Sequence, residues 1–211
     1  MDPREIVPTK LTFLQIREIA DNFRKEYIFN YSLPVQIEHV IEATMGISII
    51  PIKELHRECD MEGFISRDFK SIYVDESMYL DDRFYKRVRF TIAHEIGHLV
   101  LHRSTIDMVR FLSDDEWKHF RMNLQEEPLR WFESQASEFA GRLLVPYDQL
   151  LDSFKEARRV VMRRNAGWDA EKIEDEKMIS EAAIIIAPDF DVSVSVIEKR
   201  LIKEMILEVF R

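Results

Sequence analysis

Residues 94–98 read His-Glu-Ile-Gly-His and lie inside an apolar repeat of helical period. Phe84, Val88, Ile92, Ile96, Leu99 and Val100 share one broad face, which predicts a helix over Asp81–His102. Helical residues four apart stand about one turn apart on nearly the same face, so the imidazoles of His94 and His98 can reach one ion. Zinc accepts neutral imidazole nitrogen, and a zinc site that does chemistry keeps a position open for water. Glu95 can stand beside that water without binding the metal and take its proton as the oxygen attacks a carbonyl. These are the mechanics of the HExxH pattern. Two ordinary histidines on an ordinary helix are the bland alternative, and the motif's place inside a periodic helix speaks against it. A glycine within a helix costs about 1 kcal/mol against alanine, so Gly97 implies something packed closely on this turn.

A zinc ion with one open position needs a third protein ligand. His102 lies a further turn along, and one straight helix does not wrap residues 94, 98 and 102 around one ion; His102 is expected to pack or to support a ligand. His39, His56 and His119 have no metal-like spacing. The next strong helical pattern, Leu129–Val145 with Pro146 as its stop, offers Glu133 and Glu138. Its apolar face runs through Phe132, Ala136, Phe139, Ala140 and Leu143. Glu133, beside Phe132, can point inward with that face, although a lone acid is more often solvated. Glu138 projects about 140° away from it, so both cannot hold the same ion. Ala136 and Ala140 are small enough to let this helix approach the HExxH helix.

The rest of the chain reads as mostly helical. Residues 10–29 form an amphipathic helix, and Val35–Met45 a second, opened by Pro34 and stopped by Gly46. Residues 47–52 read as a strand whose Pro51 suggests that it lies at an edge or ends there, and 63–77 as two short strands around a polar turn. Residues 104–128 are irregular and acidic. Residues 147–164 form a helix, and the segment after Glu174 is helical with a break at Pro188. The expected class is α+β: one domain over 1–211, with a catalytic core at 10–150, a helical C-terminal extension at 151–211, and a small β-sheet packed against the HExxH helix.

Charge and cysteine content narrow the partners. The net charge of −9 lowers the odds of duplex DNA binding, despite a basic cluster at Arg158, Arg159, Arg163 and Arg164 that reads as a solvated helix face. No direct nucleic-acid partner is expected. The single cysteine, Cys59, cannot form an intrachain disulfide, and no apolar stretch is long enough to span a membrane. A cytoplasmic protein without membrane contact is the expectation.

His94-Glu-Ile-Gly-His98 followed by Leu-x-Leu-His102, then Glu133-x-x-Ala136-x-x-Phe139-Ala140-x-x-Leu143-Leu144-x-Pro146, resembles the ImmA/IrrE family of metallopeptidases. Pro34-Val-Gln-Ile37 to Gly46-Ile47 resembles an upstream family segment. The likeness covers roughly residues 10–150, with a weaker echo near Val192–Leu201. It implies a zincin-like core with Zn²⁺ between two helices, ligands His94, His98 and Glu133, and Glu95 as the catalytic residue; manganese is the alternative metal. It also implies a protein substrate: family members cleave or otherwise inactivate helix-turn-helix repressors of bacteria and mobile elements. Ser137 departs from the pattern, standing where members often carry Asn or Asp, and can orient a ligand histidine only with a shorter reach.

A second reading keeps the metal but makes the chain a binding module that sequesters a repressor or an antitoxin-like partner without cleavage. A pure binder has no need of Glu95. For a peptidase, an edge strand can pair with an extended peptide, and Ser71–Val74 is the candidate. Tyr73, Tyr147, His102 and Arg142 are all open as oxyanion stabilisers.

Overall fold

The structure, a computed structural model, describes residues 9–28, 32–108, 116, 126–165 and 173–210. The first helix, α1 (Phe13–Tyr27), starts at a reciprocal cap: the Gln15 amide donates to Thr12 Oγ1, and the Thr12 amide donates to Gln15 Oε1. It buries Ile16, Ala20 and Phe23, one stripe at helical spacing. The second helix, α2 (Ile37–His39), continues as a π-helical stretch, Val40–Met45, and stops at Gly46 in the left-handed region with φ 67°. It begins later than Pro34 suggests. Val35 stays outside it, its carbonyl accepting from the buried Arg89 guanidinium at 2.7 Å.

Three strands follow: β1 (Ser48–Ile52), β2 (Gly63–Ile65) and β3 (Ser71–Asp75), with a short helix α3 (Leu55–Cys59) between the first two. The sheet order is β1-β3-β2; β1 runs parallel and β2 antiparallel to β3. Pro51 therefore does sit in an edge strand. Ser71–Val74 does not: β3 is the central strand, with both ladders occupied, and cannot receive a peptide. The outer edges belong to β1 and β2. At the end of β3, Asp75 accepts from the amides of Ser77 and Met78 and caps α4 (Glu76–Tyr79), and it also accepts from the His56 amide of α3. Burial raises the Asp75 pKa, but these bonds to its ionised form outweigh burial and hold it below the usual carboxylate value.

The motif helix α5 spans Tyr85–Met108, beyond the expected end at His102, after a 3₁₀ turn at Asp82–Phe84. The rest of the acidic 104–128 segment, and His119 in it, lies outside the described residues apart from residues 116 and 126–128. Helix α6 (Glu126–Leu144) packs on α5, and α7 (Tyr147–Arg164), α8 (Asp175–Phe190) and α9 (Val194–Lys203) follow, with a 3₁₀ turn at Ile206–Phe210. Pro188 does not break its helix: α8 runs on to Phe190. Proline removes only one amide there, and Ile184, whose carbonyl loses it, is 60% exposed, so water can serve that oxygen. The fold is thus a mostly helical α+β domain with its small sheet against α5, where Gly63 of β2 lies against Thr91. Among the described residues no helix is long and apolar enough to cross a membrane.

Candidate metal centre

The motif turn of α5 and the middle of α6 bring three side chains together. His94 Nε2 and His98 Nε2 lie 3.1 Å apart. Glu133 Oε2 is 2.9 Å from His94 Nε2, and its Oε1 is 3.6 Å from His98 Nε2. Ligands at about 2.0–2.1 Å on a tetrahedral zinc would lie roughly 3.3–3.4 Å from one another. The observed triangle has that size, and two imidazoles with a carboxylate are a donor set zinc accepts. His94, Glu95 and His98 also offer donor atoms within 4.8 Å of one another, which makes Glu95 a rival third ligand. Glu133 is the better placed of the two. Glu95 is turned to the sheet instead, its Oε2 accepting the Ile65 amide of β2 at 2.9 Å.

The close meeting of α5 and α6 has a specific cause. A β-carbon on Gly97 would stand 2.9 Å from both the Cα and the carbonyl oxygen of Ala136. Only glycine opposite alanine allows this approach, and the approach carries Glu133 and Ser137 to the histidines. Ser137 Oγ lies 3.2 Å from His94 Nδ1, so the short hydroxyl does reach the imidazole. His102, buried behind His98, sets its Nδ1 3.0 Å from His98 Nδ1 and its ring edge-on to Phe132, with centroids 4.5 Å apart. Each motif histidine thus faces the other two donors through Nε2 and a polar partner through Nδ1.

A cavity of about 550 Å³ opens beside His94, Glu95 and Glu133. Met61, Phe90 and Leu129 supply apolar wall, and Glu62, Arg87 and Thr91 a polar one. Burial pushes the Glu62 carboxyl pKa up, but hydrogen bonds from Arg87 and Thr91 and the Arg87 charge outweigh it, and Glu62 titrates below the ordinary range. The same pair raises the Arg87 pKa. Gly63 of β2 also lines the cavity.

Glu138 points away from the centre, as its helical offset requires. It is buried in an ion network with Arg142, Arg200 and Lys203, and Glu204 joins through both arginines. The sequence reading missed this network; its signal was two arginines and two acids at i, i+4 spacing, Glu138/Arg142 and Arg200/Glu204. Among the described residues, none of Tyr73, Tyr147, His102 and Arg142 lines the cavity. Tyr73 stacks on Phe64, Arg17 covers the Tyr147 ring, and Arg142 is held by Glu138 and Glu204. His39 and His56 are exposed and take no part in the centre.

A mostly helical α+β domain whose HExxH helix meets a glutamate of a second helix, beside the edge of a small sheet, is the class that fold and site define. The chain is similar over residues 57–201 to the IrrE N-terminal-like domain, a peptidase family. That match covers more than half of the chain, and the chain belongs to this family. The match runs through the helices after residue 150. No curated protein matches the chain. Among solved structures, a Mycobacterium tuberculosis transcriptional regulator is similar with a TM-score of 0.53 at 17% identity, over 88% of this chain and 55% of the regulator. The chain thus spans about half the length of that neighbour, and the likeness is one of fold.

Proposed function

We propose that this chain is a zinc-dependent endopeptidase of the cytoplasm, with His94, His98 and Glu133 as the metal ligands and Glu95 as the general base. The observation that carries the reading is the triangle of His94, His98 and Glu133, with edges of 2.9, 3.1 and 3.6 Å, from two helices packed through Gly97. Zinc bound there supplies a Lewis acid that polarises a carbonyl and acidifies water. Glu95, fixed by the Ile65 amide beside the histidines, takes the proton of the attacking water and delivers it to the leaving amine.

The peptide substrate lies along the outer edge of β2. Glu62 and Ser66 turn their backbone groups to β3, with the Asp75 amide donating to the Glu62 carbonyl and the Ser66 amide to the Ser71 carbonyl. By alternation, Gly63 and Ile65 turn theirs outward, toward the cavity and Glu95. An extended peptide pairing with Gly63 runs past Glu95. The resemblance to the ImmA/IrrE family supports a helix-turn-helix repressor as the substrate, whose cleavage relieves repression.

Metal content and cleavage test this together. The purified chain should hold about one zinc, lost in His94→Ala, and should cut a helix-turn-helix repressor into discrete fragments. Glu95→Gln should keep the zinc and lose cleavage by roughly 10²–10⁴-fold. No zinc after reconstitution would sink the reading. A Glu95→Gln chain that still relieves repression in full would replace cleavage by sequestration of the repressor.

A further inference from the structure

We propose that His102 is a positioning residue: its Nδ1 accepts a hydrogen bond from Nδ1–H of His98 and so presents the Nε2 lone pair of His98 to the ion. This rests on the reading of His94, His98 and Glu133 as metal ligands. The two Nδ1 atoms lie 3.0 Å apart, a distance that holds one proton between them. A neutral imidazole carries one proton on one of its nitrogens. Were the shared proton to belong to His102, neutral His98 would carry its own on Nε2. That N–H would point at His94 Nε2, 3.1 Å away, and at Glu133, and His98 would have no lone pair for a metal. Binding therefore requires the opposite arrangement: His98 donates from Nδ1, and His102 is the tautomer protonated on Nε2.

The surroundings keep His102 in that place. It lies one turn after His98 on α5, is 1% exposed, and has its ring edge-on to Phe132 of α6. A second-sphere partner fixes the ring and tautomer of a ligand histidine. Here the partner is a neutral ring rather than a carboxylate, so it orients His98 without adding negative charge to a centre that already holds Glu133. His94 is oriented separately, through Ser137 on the other helix.

Zinc affinity, measured by competition with a chromogenic chelator, separates acceptor from packing. His102→Leu fills much of the ring's volume and has no acceptor; it should bind zinc about 10–100-fold more weakly than wild type. His102→Asn sets an amide oxygen near the place of Nδ1 and should stay within about threefold of wild type. Thermal melts of the metal-free proteins show that each variant folds. If the variants do not fold, the wild-type zinc protein still decides: long-range ¹⁵N–¹H spectra should show the proton of His98 on Nδ1 and that of His102 on Nε2. Undiminished affinity in His102→Leu, an Asn loss equal to the Leu loss, or a His102 proton on Nδ1 overturns the proposal alone. A wild-type chain that takes no zinc overturns the metal reading and this proposal with it.

Discussion

Replacing Gly97 with alanine sets a methyl carbon 2.9 Å from two backbone atoms of Ala136 and 3.3 Å from a third. Carbon atoms at ordinary contact stand about 3.5–4.0 Å apart, so α5 and α6 must separate by roughly 0.5–1 Å. Backbone atoms cannot rotate out of the way. Alanine gains about 1 kcal/mol in helix propensity over glycine, while overpacking costs about 1–3 kcal/mol. The net loss of stability is then small, roughly 0–2 kcal/mol, or a few °C in Tm at about 2–4 °C per kcal/mol for a chain of this size. The proposed metal centre is less tolerant. Glu133 is three residues before Ala136 and Ser137 is the next residue, so both move with it, and ligand distances tolerate only about 0.2 Å. Gly97→Ala should therefore weaken zinc binding about tenfold or more while nearly keeping its melting temperature. Chelator competition beside a thermal scan of the metal-free protein measures both. Wild-type affinity with a wild-type Tm would refute the argument that this glycine sets the helix spacing.

Stripping metal with a chelator should lower the Tm of the wild type, and zinc at 100 times its Kd should restore about 2.7 kcal/mol; His94→Ala should show neither change. Glu138→Ala takes from the buried Arg142 one of its two carboxylate partners and from Arg200 the more distant of its two, leaving Glu204 to serve both, and should cost about 1–3 kcal/mol in denaturant unfolding. Glu62 titrates below its ordinary 4.5 in the folded chain, so its stabilising effect is present above that pH and disappears as pH falls through the folded value. A Glu62→Gln variant should thus be less stable than wild type at neutral pH, and the difference should shrink on acidification below about 4.5; a difference that grows there would contradict the sign.

Much of the fold was legible because its signals are local. The helical period of residues 10–29, the stop at Gly46 and the edge-strand proline at Pro51 each state their structure within a few residues, although Leu14, one of the apolar residues of that period, is exposed and Ala20 is buried instead. The HExxH turn did the same for half of the centre, and Gly97 even announced the close packing that Ala136 supplies. Strand order was not legible: Ser71–Val74 carries the same β-branched pattern at a centre as at an edge, and only the path of the chain through α3 puts β2 outside it. Among the described residues the four oxyanion candidates do not line the cavity, and their surroundings were not legible either. Tyr147 and Arg142 take their direction from Arg17 and Glu204, far along the chain, and Tyr73 from Phe64, its register partner on β2.

Helix α6 is where a segment after residue 150 meets the helix that carries Glu133. One face of α6 carries Glu133, Ala136 and Ser137 to α5. Its other side and its end are held by distant guanidinium groups. Arg200 of α9 donates to the Val145 carbonyl at 3.2 Å, and Arg24 of α1 to the Leu143 carbonyl at 3.1 Å. Both are carbonyls at the helix end, where intrahelical donors run out. Burial depresses the Arg200 pKa, with Glu204 and Glu138 working against that shift. Charges buried this deeply are stable only when every partner is present. The C-terminal end of α6, the helix that carries Glu133, Ala136 and Ser137, is therefore held from both α1 and α9.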